Sequence, residues 1–191
     1  MIDAHLTALS ATALAARDAM APALAAASAA VAAAVRAGNK VLAFGNGGSA
    51  TQAQHFAAEL VVRYKDDRPG LPSIALTCDG AILTACANDY SYDYVFARQV
   101  EALGRPGDVA LGLSTSGTSP NVVRAIEAAR ARGLVTLLVT GSRGAAEAAK
   151  WDHGLVVPSA ETAHVQEVTL AVLHLLCKAV EVAVAGGGVR S

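Results

Sequence analysis

Five short apolar runs, separated by helix-like stretches, constrain the fold of this chain more than any other feature. The runs occupy residues 40–45, 73–78, 108–114, 135–141 and 154–158. They are continuous rather than alternating in polarity, which is the pattern of strands buried on both faces. Strands and helices in this order predict a parallel sheet with right-handed crossovers and helices on both faces. The expected fold class is therefore α/β, a three-layer doubly wound sandwich around a five-stranded parallel sheet.

Helices are expected between and after these strands, at residues 49–64, 81–87, 92–102, 119–132, 144–149 and 162–185. An Ala-rich segment at residues 3–37 precedes them and predicts one long helix or a helix pair, which Pro22 kinks or divides. Gly38-Asn39 is its expected stop signal. Because this segment carries few charges, we expect it to pack on the domain and at subunit contacts. No Pro-, Gly- or Ser-rich linker interrupts the chain, so residues 1–191 are expected to form a single domain, with residues 1–38 as its N-terminal helical segment.

The overall composition argues against several classes of protein. A net charge of -1 gives no reason to expect nucleic acid or an anionic membrane as a partner. The three cysteines are widely spaced and form no CxxC pair, which indicates buried, reduced thiols rather than a disulfide framework. The N-terminus has no basic region, and the Ala-rich stretches are not typical of a membrane span. We therefore expect a soluble, cytoplasmic protein.

A glycine-rich turn follows the first expected strand, with the sequence Gly45-Asn46-Gly47-Gly48-Ser49. Its glycines allow a sharp turn and a close approach of backbone N–H groups to a ligand, and Ser49 is expected to cap the next helix. A helix N-terminus of this kind suits an anion or a polyhydroxyl chain. The turn matches neither the dinucleotide-binding fingerprint nor a Walker A loop, and a purely structural turn is the alternative.

A hydroxyl-rich turn follows the third expected strand, where five of the nine residues from Leu113 to Asn121 are Ser or Thr. Pro120 is in a favoured first helical position. Hydroxyl groups together with free helix N–H groups can surround a phosphate without Lys or Arg. An ordinary helix cap is the alternative, but a cap needs one hydroxyl rather than five. The turn therefore favours phosphate binding.

Ionisable side chains on two expected helices are candidates for acid/base and metal chemistry. His55 and Glu59 are four residues apart and share one helical face, although a solvated ion pair has the same spacing. Gln166 and His174 lie in an apolar helix, where a lone His is usually a core residue, and their separation is not that of a natural ligand pair. Asn88-Asp89 either anchors sugar hydroxyls or ends a helix.

Together these segments resemble the phosphoheptose isomerases of the sugar-isomerase (SIS) domain superfamily. The matching residues lie between about Lys40 and Glu181 and include both turns, residues 53–60, 83–85, 88–90 and 95–99, and Gln166-Glu167 with His174. The resemblance implies an SIS-type, flavodoxin-like fold and a homotetramer. It also implies conversion of sedoheptulose 7-phosphate to D-glycero-D-manno-heptose 7-phosphate through an enediol. That reaction is the first step of nucleotide-activated heptose biosynthesis for lipopolysaccharide, capsule or another glycan.

The resemblance also implies a role for each candidate residue. Glu59 and His174 would be the acid/base pair, and both would bind a zinc ion together with His55 and Gln166. Ser114, Thr115, Ser116 and Ser119 would hold the phosphate. The rest of the substrate would contact Asn46, Gly47, Gly48, Ser49, Glu59, Asn88, Asp89 and Gln166.

Three positions depart from the family pattern. Thr118 stands where Asn is usual, His164 stands where Arg is usual, and Asp79-Gly80 matches only in part. Isomerisation of another sugar phosphate is therefore one alternative. A non-catalytic SIS protein that binds sugar phosphates or associates with the replication initiator is a second, although the presence of Glu59 and His174 argues for an enzyme. A sugar-phosphate-sensing regulator would normally carry a DNA-binding domain, for which this chain has no room.

Overall fold

The computed structural model describes residues 1–185, and five parallel strands form its central sheet. The strands are β1 (Val41–Gly45), β2 (Ser73–Ala75), β3 (Val109–Ser114), β4 (Val135–Gly141) and β5 (His153–Val157). They lie in the order β2-β1-β3-β4-β5, and every neighbouring pair is parallel. The expected α/β sandwich is confirmed. Only β2 differs from its expected bounds by more than one residue, since it ends at Ala75 before the chain turns toward the next helix.

Alternate residues of β1 contact opposite hydrophobic layers, which explains why the run is continuously apolar. Val41 and Ala43 pack in one cluster, and Leu42 and Phe44 pack in the other. One face is covered by α1 (Ile2–Arg36), α2 (Gly48–Val61) and α7 (Thr162–Ala185). The other face is covered by α3 (Gly80–Asp89), α4 (Val95–Leu103), α5 (Pro120–Ala131) and α6 (Ala145–Ala148). Short 3₁₀ turns at Tyr92–Tyr94 and Ser142–Gly144 precede α4 and α6.

The N-terminal segment is one continuous helix of 35 residues, so of the two predicted alternatives the single long helix is confirmed and the helix pair divided at Pro22 was wrong. Pro22 removes one N–H donor, but buried side chains on both sides of it, from Met20 to Ala27, hold the helix against the domain. The helix ends as expected. Gly38 has a φ of +85° and donates to the carbonyl of Val35, while Asn39 donates to that of Ala34.

Helices α1 and α7 are both long and apolar enough to cross a membrane by length and composition. This finding differs from our interpretation that no stretch is typical of a membrane span. The two helices pack against each other, and both contribute buried side chains to the core on one face of the sheet. They leave an apolar groove between them, lined by Leu9, Ala13, Met20, Leu24, Val168, Ala171, Val172 and Leu175. Part of their apolar surface thus faces the domain interior, and part remains exposed.

The cysteines are all free, and only two of the three are buried. Cys86 and Cys177 lie in the core as expected. Cys78 is exposed because β2 ends early and the chain leaves the sheet before reaching it. The expectation that all three thiols are buried was therefore wrong for Cys78.

Candidate active site

The glycine-rich and hydroxyl-rich turns lie side by side at one edge of the sheet. Gly45, the last residue of β1, pairs with Leu113 near the end of β3. The strand order changes direction between these two strands, because β1 continues toward β2 and β3 continues toward β4. Doubly wound sheets bind ligands beyond the carboxyl ends of their strands at such a point.

The glycine-rich turn places the start of α2 directly against α7. Gly47 precedes the helix with a φ of +56°, a conformation that favours glycine. A Cβ atom on Gly48 would lie 2.5 Å from Nε2 of Gln166, so a larger residue here would displace the Gln166 side chain. Ser49 was predicted to cap α2, and this was wrong. The helix begins one residue earlier, and Ser49 is buried in its first turn.

Asn46 is held by a reciprocal pair of hydrogen bonds that links the two turns. Its side-chain N–H donates to Oδ1 of Asn121 over 2.8 Å, and the side-chain N–H of Asn121 donates back to Oδ1 of Asn46 over 2.9 Å. The hydroxyl of Tyr92 also donates to Asn46 Oδ1, over 3.2 Å. Neither Asn121 nor Tyr92 was predicted to belong to the site. The signal for Asn121 was its position at the end of the hydroxyl-rich turn, but the sequence does not reveal its pairing.

The hydroxyl-rich turn is ordered by its own side chains. The Oγ atoms of Ser114 and Ser119 are 3.1 Å apart, and the N–H of Gly117 donates to Ser114 Oγ. The hydroxyl and N–H of Thr118 both donate to Ser116 Oγ over 3.2 Å. Ser119 occupies the N-cap position of α5, but its hydroxyl makes no cap hydrogen bond. Pro120 has no N–H, and the N–H groups of Val122 and Val123 both donate to the backbone carbonyl of Ser119. Among the described residues, the N–H of Asn121 is thus the donor of this first turn that remains for an anion.

Three ionisable side chains meet where α2 and α7 pack together. Nε2 of His55 lies 3.0 Å from Nε2 of His174 and 3.4 Å from Oε1 of Glu59. One potential ligand atom from each residue lies within 4.8 Å of the other two. Ligand atoms around a tetrahedral zinc ion are about 3.3 Å apart at usual bond lengths. The His55–Glu59–His174 cluster therefore has the donor types and the spacing that a zinc ion needs.

Gln166, the fourth predicted metal ligand, contacts the first turn of α2 from α7. Its side chain packs against Gly48, and its backbone carbonyl accepts a hydrogen bond from Nε2 of Gln52 over 2.7 Å. Among residues 1–185 no hydrogen bond joins the Gln166 side chain to the three clustered residues. Gln166 thus contacts the glycine-rich turn, and its place among the metal ligands stays a prediction.

Comparison with known proteins gives a consistent answer for sequence and structure. Residues 5–141 match the SIS domain family. The phosphoheptose isomerase of Thiobacillus denitrificans is 47% identical over 180 residues, covering 93% of this chain and 91% of that protein. The structure of phosphoheptose isomerase from Neisseria gonorrhoeae superposes with a TM-score of 0.89 at 38% identity, covering 95% and 97% of the two chains. The one from Francisella tularensis gives 0.90 at 36% identity, covering 94% and 95%.

The chain belongs to the SIS domain family, among the phosphoheptose isomerases. The resemblance inferred from the sequence motifs is thus confirmed. The chain and these relatives align over nearly their whole lengths, so the likeness includes both the sheet and the flanking helices α1 and α7.

Two further residues with predicted roles in a phosphoheptose isomerase site are Asn88 and Asp89. Both are exposed at the C-terminal end of α3, and the Asn88 side chain donates to Asp89 Oδ1 over 2.8 Å. Tyr92, which contacts Asn46, follows three residues later. Asn88 and Asp89 are therefore close in sequence to a residue that contacts the glycine-rich turn, and their own contact with the sugar stays a prediction.

Cys177 lies one helical turn beyond His174 and is fully buried. Burial raises the pKa of its thiol to about 12, with a further contribution from the negative charges of Glu59 and Glu181. The thiol therefore stays protonated at neutral pH. Cys177 is therefore a packing residue next to the His55–Glu59–His174 cluster, and it is neither a thiolate ligand nor a nucleophile.

Glu181 holds the segment that follows α2, and so supports the helix that carries His55 and Glu59. Its Oε1 accepts the N–H groups of Tyr64 and Lys65 over 2.9 and 3.1 Å, and lies 3.4 Å from Nε of Arg68. Arg68 in turn donates to the backbone carbonyl of Glu59 over 2.7 Å. Burial by itself raises the pKa of Glu181, but the three backbone donors and the charge of Arg68 outweigh it and lower the pKa below its ordinary value.

Proposed function

We propose that this protein is an aldose–ketose isomerase that converts sedoheptulose 7-phosphate to D-glycero-D-manno-heptose 7-phosphate. The observation that carries the proposal is the meeting of Glu59 and His174 with His55 in one cluster, close to two polar turns. Relatives named phosphoheptose isomerase at 47% and 53% identity support the same reaction. They favour an enzyme over a non-catalytic SIS protein.

Substrate binding would begin at the two turns. The phosphate would lie at the hydroxyl-rich turn, where Ser114, Thr115, Ser116 and Ser119 surround the uncapped start of α5. The sugar chain would extend past Asn46, Gly47 and Gly48 toward Gln166, with Asn88 and Asp89 at the outer edge. Fixing both ends of the chain orients the reacting carbons, which lowers the entropic part of the barrier.

The isomerisation itself moves one proton between adjacent carbons. The Glu59 carboxylate would remove the proton from C1 of the ketose, and His174 would donate a proton to the C2 carbonyl oxygen, giving the enediol. His174 would then take the proton of the C1 hydroxyl, and Glu59 would return its proton to C2, so that both groups end in their starting states. These two roles require both side chains to reach the same pair of substrate carbons, and α2 and α7 hold them on packed helices with their polar atoms within 4.8 Å of each other.

A zinc ion fits the same cluster. His55, Glu59 and His174 would hold it, with Gln166 as a further ligand from α7. When bound, the ion supplies Lewis-acid polarisation of the substrate oxygens. Glu59 and His174 are also the proposed base and acid, and neither can bind the ion and exchange a proton through the same atom at the same time.

Replacement of Glu59 by Gln tests the proposal. Glu59→Gln keeps the size of the side chain but removes the base, so we expect kcat to fall by about a hundredfold or more while the phosphate end still binds. Turnover is measured as aldose formation from sedoheptulose 7-phosphate, with and without a chelator, and binding is measured by calorimetry on the same preparation.

Glu127→Gln is the matched control, because Glu127 is an exposed glutamate on α5. It should retain wild-type turnover. A Glu59→Gln protein that turns over at the wild-type rate would remove Glu59 from the reaction. A wild-type protein that isomerises a pentose or hexose phosphate faster than the heptulose would correct the substrate.

We also propose where the enzyme acts, how it assembles and which pathway uses its product. It would act in the cytoplasm as one domain over residues 1–191, of which 186–191 lie outside the described residues, and it would assemble as a homotetramer. The exposed part of the α1–α7 groove is the surface available for subunit contact. Its product would enter nucleotide-activated heptose biosynthesis for lipopolysaccharide or capsule, with no nucleic acid or membrane as a partner.

A further inference from the structure

A second cluster of metal-ligating side chains lies where the first turns of α1 and α7 meet. Nε2 of His5 is 2.8 Å from Oε1 of Glu167, and the ring centroids of His5 and His164 are 4.8 Å apart. One potential ligand atom from each of the three residues lies within 4.8 Å of the other two. Two imidazoles and a carboxylate thus converge at a place to which the proposed reaction assigns no role.

Two atoms of this cluster are buried and unsatisfied. Nε2 of His164 and Oε2 of Glu167 are shielded from solvent, and neither has a hydrogen-bond partner among residues 1–185. Leaving such a group unpaired costs about 1–3 kcal/mol. Most buried polar atoms in folded proteins are paired, so two unpaired atoms in one three-residue cluster call for a shared partner.

We propose that His5, His164 and Glu167 form a second binding site for a divalent transition-metal ion, with Zn²⁺ as the best match. Two His and one Glu are a known zinc set that leaves a fourth position open, and imidazole selects borderline metals over Mg²⁺ or Ca²⁺. The positive ends of two helices disfavour a cation here, because His5 and His164 both lie in the first turns, and the two nearby carboxylates oppose this effect. Glu167 lies beyond the first turn of α7, and Asp3 adds a negative charge at the start of α1.

This site is separate from the His55–Glu59–His174 cluster. Glu167 precedes His174 by seven residues, which corresponds to about 10 Å along the axis of α7. The ion would join the N-terminal turn of α1 to the start of α7, directly beside Gln166. It would therefore hold the long N-terminal helix against the domain, without taking part in the isomerisation.

Metal stoichiometry distinguishes the two sites. The full-length protein is stripped with a chelator, dialysed against Zn²⁺ and analysed for bound metal. We expect about two equivalents per chain for the wild type and about one for Glu167→Gln, which keeps the shape of the side chain but loses its charge. The double variant His55→Gln/His174→Gln should also retain about one equivalent, and adding Glu167→Gln to it should remove that ion. His153→Gln is the control, because His153 belongs to neither cluster.

A thermal measurement gives a second readout that does not depend on activity. Zn²⁺ should raise the melting temperature of His55→Gln/His174→Gln and should leave the melting temperature of the triple variant unchanged, since an ion that binds only the folded state stabilises it. The proposal is overturned if His55→Gln/His174→Gln binds no zinc. It is equally overturned if Glu167→Gln leaves the bound zinc of that variant unchanged. If the wild type binds zinc only at His5, His164 and Glu167, the proposed catalytic zinc is wrong, whereas the site proposed here is supported.

Discussion

At the residue scale, the site depends on side chains that hold other side chains in place. Asn46 is fixed on one side by Asn121 and on the other by Tyr92, across more than 40 residues of chain in each case. The resemblance to the phosphoheptose isomerases implied that Asn46 contacts the substrate. The partners of Asn46 could not be predicted, because hydrogen bonds between distant turns leave no local pattern.

Replacing Asn121 by Ala should weaken substrate binding more than it slows the reaction. The change leaves the side-chain amide of Asn46 without its reciprocal partner, so we expect KM to rise about tenfold, which corresponds to about 1.4 kcal/mol. The value of kcat should change less. Initial rates with sedoheptulose 7-phosphate measure both, and thermal unfolding checks the fold.

The control for this variant is Asn39→Ala, at the opposite end of β1 from the site. Its KM should equal that of the wild type. An Asn121→Ala enzyme with an unchanged KM would show that the orientation of Asn46 does not matter for binding.

At the element scale, the packing of α2 against α7 creates the His55–Glu59–His174 cluster. Helix α7 begins at Thr162 as the sequence predicts and continues to Ala185, the last described residue, because its apolar period is long and continuous. The same pattern indicated a core role for His174, whose half-buried ring instead contacts His55 and Tyr64. Periodicity identifies a helix, but it does not determine which residue of a neighbouring helix each side chain meets.

Glu181 on α7 binds the segment that follows α2, and its contribution to the free energy of unfolding should depend on pH. The folded-state pKa of Glu181 lies below its ordinary value, so its contribution is fully present above the ordinary pKa and is lost as pH falls through the folded pKa. We expect Glu181→Gln to lower the free energy of unfolding by about 1–3 kcal/mol at neutral pH. The difference from wild type should shrink as the pH is lowered below about 4.

Urea unfolding at neutral and at acidic pH measures this difference. Glu127→Gln is again the matched control, because an exposed glutamate should change the free energy of unfolding little at either pH. A Glu181→Gln difference of the same size at both pH values would mean that the lost charge is not the cause.

At the scale of the whole molecule, helices α1 and α7 leave apolar side chains exposed to solvent. Leu6, Leu14, Leu175 and Val182 on these helices are each about half exposed or more. Monomeric soluble proteins seldom expose contiguous apolar patches of this kind. Subunit association and a membrane surface are two ways to cover it, and the homotetramer proposed above would use the first.

Replacing Leu175 by Glu should dissociate the proposed homotetramer. Leu175 lines the groove and is 49% exposed, so a charge there would be buried against another subunit. Light scattering after size exclusion, in the absence of detergent, measures the mass. Leu103→Glu is the control, since Leu103 is also exposed, at 39%, but lies at the end of α4 in the opposite layer. A wild-type protein that is monomeric without detergent would contradict the assembly.

The sequence by itself determined the fold class, the position of each strand and the two polar turns, because burial pattern, helix period and turn chemistry are local properties of a chain. It also placed the chain in its family through the order of its motifs. Only the tertiary structure decided which distant side chains meet. The packing of α2 on α7 brings His55 to His174, and the packing of α1 on α7 brings His5 to His164 and Glu167. These contacts depend on how the whole sheet orders its helices, and no short segment of sequence contains that information.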